Sequence, residues 1–176
     1  MIQPLAYIHP QAKIAETVVI EPFVTIYKDV VIGEGTWIGS NVTIMDGARI
    51  GKNCRIFPGA VVSAPPQDMK YKGEASTVTI GDNTIIRECV TLNRGTALDK
   101  NTTTIGSNCL LMAYVHIAHD CVIGNNVIIA NSVQLAGHIE VQDYAFIGGA
   151  SAVHQFVSIG AQSIISGGSL VRKDVP

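Results

Sequence analysis

The sequence is poor in charge, in aromatic side chains and in long apolar runs. Only 15% of its 176 residues are Asp, Glu, Lys or Arg and 6% are aromatic, whereas 47% are hydrophobic. So low a charge density, in a chain long enough to bury a core, predicts that part of the surface packs against other subunits. The net charge of −2 argues against a nucleic-acid-binding protein, which usually carries a basic face.

Membrane and secretion signals are also missing. No apolar run approaches the roughly 18 residues that a membrane-crossing helix needs. The first residues, Met1 to Pro4, lack the basic and apolar regions of a signal peptide. We therefore expect a cytoplasmic protein without a membrane span.

What the sequence has in abundance is a six-residue period. Aliphatic residues recur at every sixth position from Ile8 to Val62, and the phase continues through Leu92 and Leu98. After a slip of one residue the period runs unbroken over 105–171. No helix or ordinary hairpin repeats every six residues, and a hexapeptide period is a mark of a β-helix.

The other positions of each hexad complete the prediction. Position five is small or β-branched, so positions one and five should both face inward. Position two is often Gly and position four is often Asn, the residues that best tolerate positive φ and so suit corners. Three short strands and three corners make a coil of 18 residues, and we expect about nine such coils in a triangular prism of parallel strands.

This pattern is similar to the left-handed parallel β-helix of hexapeptide-repeat acyltransferases. The handedness is what the resemblance implies, since periodicity alone does not give it. We therefore predict an all-β, left-handed parallel β-helix that occupies 1–176 as one domain.

Two segments interrupt the repeat, near 63–77 and 97–104. The first contains Pro65-Pro66, which cannot donate to a strand ladder, and places Asp68 and Glu74 where aliphatic residues are due. The second accounts for the slip and is interpreted as one inserted residue. Loops that interrupt a regular scaffold often carry function.

The cysteines fit the repeat better than a disulfide or metal site. Cys54, Cys109 and Cys121 each lie four residues after an aliphatic position, where a free thiol acts as a small core hydrophobe. Cys89 is one residue out of that phase.

Four of the five histidines lie within 116–154. Because residues 18 apart should lie on successive coils, the period predicts one column along an edge of the prism. The column consists of His119-Asp120, Gly137-His138 and Gln155-Phe156. His116 and His154 lie close to it in sequence. We interpret this edge as a functional cleft.

The column predicts a particular chemistry. An imidazole can act as general base near neutral pH, and a glycine N–H can stabilise an oxyanion where substrate approaches the backbone. No serine or cysteine lies in the column. Direct attack by a bound hydroxyl or amine is therefore favoured over an acyl-enzyme.

Five stretches resemble the UDP-N-acetylglucosamine O-acyltransferases, which open lipid A biosynthesis in Gram-negative bacteria. They are QDMKYKGE (67–74), NRGT (93–96), HIAHDC (116–121), LAGH (135–138) and AVHQF (152–156). The resemblance covers nearly the whole chain, and the histidine motifs are specific among hexapeptide proteins.

The resemblance implies a homotrimer with sites between subunits, no cofactor and no metal. It implies transfer of an (R)-3-hydroxyacyl group from acyl carrier protein to the 3-hydroxyl of UDP-N-acetylglucosamine. His119 would be the general base, Asp120 its supporting carboxylate and Gly137 N–H the oxyanion donor, with Gly167 at the floor of a long acyl groove. The residues implied to contact the sugar nucleotide or position the acyl chain are Asp68, Lys70, His116, His138, His154 and Gln155. Whether Asp120 orients His119 or contacts His138 stays open from sequence.

The sequence departs from the family pattern in two places. Asn93 stands where a histidine is expected. The family continues into a helical C-terminal domain, whereas this sequence stops at Pro176, with Arg172 and Lys173 as the nearby basic residues. We expect a chain that folds and trimerises yet is poorly active.

Three other classes of β-helix protein fit the sequence less well. An N-acyltransferase of lipid A synthesis usually has a further N-terminal domain, whereas the repeat here begins at Ile8. A hydratase of the γ-carbonic-anhydrase type needs a histidine pair five apart, but His116 and His119 are three apart. An ice-binding solenoid needs threonine ladders on every coil, and only 102–104 is such a run.

Overall fold

The computed structural model describes all 176 residues as a stack of 25 short β-strands without a helix. The strands, numbered in chain order, form three parallel sheets. The first sheet contains β1 (Tyr7–Ile8), β4 (Thr25–Ile26), β7 (Thr43–Ile44), β10 (Val61–Ala64), β13 (Thr91–Asn93), β16 (His116–Ile117), β19 (Gln134–Leu135), β22 (Ala152–Val153) and β25 (Leu170–Val171).

The other two sheets have eight strands each. The second contains β2 (Lys13–Ile14), β5 (Val31–Ile32), β8 (Ala48–Ile50), β11 (Thr77–Ile80), β14 (Thr102–Ile105), β17 (Val122–Ile123), β20 (Glu140–Val141) and β23 (Ser158–Ile159). The third contains β3 (Val19–Ile20), β6 (Trp37–Ile38), β9 (Arg55–Ile56), β12 (Ile85–Ile86), β15 (Leu110–Leu111), β18 (Ile128–Ile129), β21 (Phe146–Ile147) and β24 (Ile164–Ile165).

Consecutive strands lie in consecutive sheets, so each circuit of three strands is one coil. The nine strands of the first sheet correspond to the nine predicted coils. His116 pairs with Gln134 and Gln134 with Ala152, which is the register of 18 that the sequence period predicts. The fold is the left-handed parallel β-helix, and that prediction is confirmed. The structure contains no helix of the length and apolarity needed to cross a membrane.

The core is a single column of 39 buried residues, filled mainly by the aliphatic series. Ile20, Ile56 and Ile117 are typical members and are completely buried. Burial of each such side chain stabilises the fold by about 1.5–3 kcal/mol. Leu98 is the exception to the predicted series: it is 72% exposed because it lies in a loop rather than on a strand.

The corners confirm the role of asparagine and change the explanation for glycine. Asn41 and Asn126 have φ of 60° and 58°, the left-handed region that asparagine tolerates. Gly33 and Gly106, at position two of their hexads, do not have positive φ. Instead, a Cβ on Gly106 would lie 2.4 Å from the carbonyl oxygen of Gly124 on the next coil. At Gly33 and Gly106 successive coils approach too closely for a side chain.

Both interruptions of the repeat lie at one corner, between the first and second sheets. The first loop (65–76) joins β10 to β11, and the second loop (94–101) joins β13 to β14. We call the three turns that follow at this corner, 118–121, 136–139 and 154–157, the histidine corner. The loops therefore lie beside the predicted column.

The second loop is longer than the sequence suggested. Thr91 pairs with His116, 25 positions further on instead of 18. The loop thus adds seven residues to its coil, and the expectation of one inserted residue was wrong. An insertion of six residues does not change a six-residue phase, so seven inserted residues shift the aliphatic positions by only one.

Candidate active site

His119 and Asp120 form a hydrogen-bonded pair at the histidine corner. His119 Nδ1 lies 2.9 Å from Asp120 Oδ2. The Asp120 side chain is completely buried, whereas the His119 side chain is 14% exposed. Because an ionised carboxylate can only accept, the proton of a neutral His119 is on Nδ1, and Nε2 is left with a free lone pair.

The second loop holds the Asp120 carboxylate in place. Thr96 donates its backbone N–H to Asp120 Oδ1 at 3.0 Å and its hydroxyl to Oδ2 at 2.7 Å. The backbone N–H of Asp120 donates to Thr103 Oγ1 at 2.8 Å. Asp120 is therefore hydrogen-bonded to His119 and not to His138, and its contact with Thr96 was not predicted from the sequence.

Gly137 lies directly against the ring of His119. A Cβ at this position would be 2.8 Å from Cε1 and 2.9 Å from Nε2 of His119. The N–H of Gly137 donates to no acceptor in the structure, while the N–H of His138 donates to the His119 carbonyl at 3.0 Å. The predicted stacking of these coils is present, and it leaves one amide hydrogen free beside the imidazole.

His138 lies between His119 and Phe156. Its ring meets that of His119 edge-on at 4.9 Å and stacks on Phe156 at 4.4 Å. Its Nδ1 lies 2.6 Å from Asp99 Oδ2. This hydrogen bond is the main cause of a lowered pKa for the Asp99 carboxyl, to which Lys100 also contributes. Asp99 was also missed from sequence, since nothing in the repeat places the second loop against residue 138.

A cavity of about 600 Å³ opens beside His138. Both loops contribute to it, so Asp68 and Lys70 lie where the resemblance implies a substrate site. The lining residues are Asp68, Lys70, Thr96, Leu98, Asp99, Lys100, His138, Glu140, Phe156 and Ser158. The lining is polar and carries both signs of charge.

The remaining predicted residues lie around this cavity rather than in it. His116 points outward from β16 with Nδ1 2.7 Å from Thr91 Oγ1, and burial lowers its pKa. His154 and Gln155 are exposed at the histidine corner, where the His154 ring contacts the Gln155 carbonyl at 3.1 Å. His154 also borders an apolar groove of about 280 Å³ on the first sheet. The other groove residues are Ala136, Ala152, Val153, Leu170, Val171 and Arg172.

Gly167 is not brought to the cavity within one chain. It follows β24 at the corner between the third and first sheets, where a Cβ would lie 3.2 Å from the Gly149 carbonyl oxygen. His119 and Gly167 are 48 positions apart, which is not a whole number of coils. The repeat itself therefore places them at different corners.

Asn93 ties the end of β13 to the first loop. Its side chain is almost fully buried, and Nδ2 donates to the Pro65 carbonyl at 3.3 Å. No hydrogen bond joins it to His119 or Asp120. In this chain the residue at position 93 supports the loop.

His119, Asp120 and His138 could in principle hold a metal ion, since one ligand atom of each lies within 4.8 Å of the others. The hydrogen bonds of these three side chains are enough to explain why they lie close together without a metal ion. Both Asp120 oxygens accept bonds from Thr96, and Nδ1 of His138 is bound to Asp99. We assign no metal to the site.

Known proteins similar to this chain are hexapeptide-repeat acyltransferases. Residues 29–64 and 102–137 match the bacterial transferase hexapeptide (six repeats) family model. A protein of Aliivibrio fischeri (strain MJ11), named acyl-(acyl-carrier-protein)–UDP-N-acetylglucosamine O-acyltransferase, is 59% identical over all of this chain and 70% of its own length. A protein of Burkholderia orbicola (strain MC0-3) with the same name is 51% identical over 66% of this chain and 45% of its own.

Solved structures that resemble this chain have the same enzyme name. The UDP-N-acetylglucosamine acyltransferase of Francisella novicida superposes with a TM-score of 0.99 at 50% identity, over 100% of this chain and 64% of that one. The enzyme of the same name from Campylobacter jejuni gives 0.95 at 43% identity, over 100% and 69%. The matches thus cover about two thirds of the length of these two structures.

Proposed function

This chain belongs to the acyl-(acyl-carrier-protein)–UDP-N-acetylglucosamine O-acyltransferase family, and we propose that it carries that family's catalytic centre. The proposed reaction transfers an (R)-3-hydroxyacyl chain from acyl carrier protein to the 3-hydroxyl of UDP-N-acetylglucosamine. The protein is an acyltransferase, as its relatives are. The substrates are proposals, because the chain corresponds to part of its relatives.

The observation that supports this mechanism best is the hydrogen bond between His119 and the buried Asp120, 2.9 Å long. Asp120 holds the proton on Nδ1, so Nε2 removes the proton from the sugar 3-hydroxyl as its oxygen attacks the thioester carbonyl. The imidazolium that forms is stabilised by the carboxylate. A general base of this kind contributes about 10²–10⁴ to the rate.

The tetrahedral intermediate needs a donor for its oxyanion, and the free N–H of Gly137 lies beside His119. One such donor is worth about 10²–10³ in kcat. When the intermediate collapses, the carbon–sulfur bond breaks and the thiolate of the carrier protein takes the proton from Nε2 of His119. The products are the sugar ester and the free thiol, and His119 returns to its starting state.

The 600 Å³ cavity is the proposed sugar-nucleotide site. Lys70 on the first loop would neutralise the diphosphate, and the Asp68 carboxylate would accept from sugar hydroxyls. His138 supplies a further polar contact on the opposite wall. The apolar groove beside His154 is a candidate path for the acyl chain.

We propose that the complete site forms in a homotrimer. Gly167 lies at a different corner of the prism from His119, so an acyl groove that needs both must form between two copies. The low charge content of 15% and exposed apolar residues such as Ile164 and Leu170 support burial of prism faces. Sedimentation equilibrium should give three times 18.7 kDa. A monomer would remove this part of the proposal.

The reaction is tested by product mass. The protein is mixed with UDP-N-acetylglucosamine and acyl carrier protein charged with 3-hydroxyacyl chains of several lengths, and the His119→Ala protein is the control. Addition of one acyl group to the nucleotide sugar, dependent on His119, is the expected result. Transfer only to the amine of a 3-O-acylated, N-deacetylated UDP-glucosamine would instead identify an N-acyltransferase.

A further inference from the structure

The second loop reaches the active site through two acidic contacts. Thr96 binds Asp120, the partner of His119. Three residues later, Asp99 Oδ2 lies 2.6 Å from His138 Nδ1. The loop thus holds two carboxylate–imidazole pairs side by side, and the proposed mechanism uses only the first.

The loop around Asp99 is anchored on both sides. Lys100 Nζ lies 3.7 Å from Asp99 Oδ2 and 3.4 Å from Glu140 Oε1 on β20. On the other side, the N–H of Ala97 donates to Glu74 Oε1 of the first loop at 3.2 Å. These contacts connect the loop to the prism wall and to the first loop, so Asp99 is held against the imidazole.

The ring of His138 has little freedom left. One face stacks on Phe156, with 9° between the planes, and the His119 ring meets it edge-on at 89°. Nδ1 is bonded to Asp99, which leaves Nε2 as the ring nitrogen without a partner in a residue that lines the cavity. A carboxylate can only accept, so neutral His138 carries its proton on Nδ1 and offers Nε2 as an acceptor.

We propose that Asp99 is a positioning residue that fixes the tautomer and orientation of His138, so that Nε2 accepts a hydrogen bond from an O–H or N–H of the sugar nucleotide. The role in substrate binding rests on the proposed function, whereas the effect of Asp99 on the His138 ring does not. Without Asp99, His138 can carry its proton on Nε2 and becomes a donor toward the cavity. The polarity of the contact with substrate is then reversed.

The tautomer is measured directly by nitrogen NMR of protein labelled with ¹⁵N-histidine. The chain has five histidines, so His138→Gln identifies the signal of interest. In the unaltered protein near neutral pH, we expect the proton of neutral His138 on Nδ1. In Asp99→Ala the proton should move mainly to Nε2, and Asp99→Asn, which keeps an accepting oxygen, should lie between them. An unchanged tautomer in Asp99→Ala would overturn the proposal.

The second readout is the Kd of UDP-N-acetylglucosamine by calorimetry, which needs no turnover. Asp99→Ala should weaken binding about tenfold, the loss expected of one charge-assisted contact that is partly open to solvent. Asp29→Asn is the matched control, because Asp29 pairs with Arg49 on an early coil and should leave both readouts unchanged. Equal affinity in Asp99→Ala and the unaltered protein would refute the binding role.

The two proposals fail separately. If the unaltered protein transfers no acyl group and does not bind the nucleotide, the proposed function is wrong, and the NMR result alone decides whether Asp99 sets the His138 tautomer. If transfer occurs but Asp99→Ala changes neither tautomer nor Kd, only the role of Asp99 is wrong.

Discussion

Substitution of Gly137 by alanine tests the active-site geometry without removing any functional group. The new Cβ would lie 2.8 Å from Cε1 and 2.9 Å from Nε2 of His119. Carbon atoms pack best about 3.5–4.0 Å apart, so the imidazole must retreat by roughly 0.7–1.2 Å. Such a shift breaks or lengthens the 2.9 Å bond to Asp120 and moves the base away from the acceptor hydroxyl.

The main expected cost is in rate. A displacement of about 1 Å in a catalytic group can cost 10²-fold in rate, which corresponds to about 2.7 kcal/mol in the barrier. The φ angle of Gly137 is outside the left-handed region, so alanine causes no backbone strain, and any loss of stability comes from the displaced His119 ring. We therefore expect kcat to fall about 100-fold in a protein that still folds.

The assay is the initial rate of acyl transfer at saturating substrates, with Tm measured on the same samples. Gly39→Ala is the matched control, because its Cβ would lie 2.9 Å from the Trp37 side chain, so a ring must also move, but on an early coil away from His119. It should keep its rate. If folded Gly137→Ala keeps kcat within about twofold of the unaltered protein, the imidazole does not act from the position described, since a 1 Å shift should cost far more.

Three further predictions concern other parts of the molecule. Lys70→Ala should weaken UDP-N-acetylglucosamine binding with little change in kcat, and unchanged affinity by calorimetry would contradict the assignment of Lys70 to the diphosphate. Of the four thiols, Cys89 should react quickly with a thiol reagent and the three buried ones only after unfolding, since Cys121 has a pKa raised to about 12; rapid titration of all four would be inconsistent with the described core. Burial lowers the pKa of His116 from 6.5, so its contribution to stability is present above that value and is lost as the pH falls below it. The drop in unfolding midpoint between about pH 7.5 and about pH 5.5 should be smaller in His116→Gln, and an equal drop would exclude this cause.

The fold was predictable because one physical constraint acts on every coil. A triangular prism admits inward side chains at fixed positions, so residues such as Ile20, Ile26 and Ile32 recur at a constant spacing. The same constancy predicts that His119 lies under Gly137. The sequence analysis explained glycine at position two by positive φ at a corner, and this was wrong at Gly33 and Gly106, where the cause is the close approach of coils.

The loops were less predictable because the period says nothing about how inserted residues fold back. The second loop adds seven residues to its coil. An insertion of six leaves the six-residue phase unchanged, so the sequence shows a shift of only one. Its contacts, Thr96 with Asp120 and Asp99 with His138, depend on the path of the chain outside the repeat. Gly167 was limited in another way. The period predicts its corner within one chain, but its proposed role in the acyl groove depends on a second copy of the chain, which the period does not describe.

The most direct test of the central claim is the kcat of a trimeric His119→Ala protein with UDP-N-acetylglucosamine and 3-hydroxyacyl-loaded carrier protein. If Nε2 of His119 removes the proton from the attacking hydroxyl, kcat falls by about 10²–10⁴, while the Kd of the nucleotide sugar changes little. A folded, assembled His119→Ala protein that keeps most of its turnover would contradict the mechanism built on the His119–Asp120 pair.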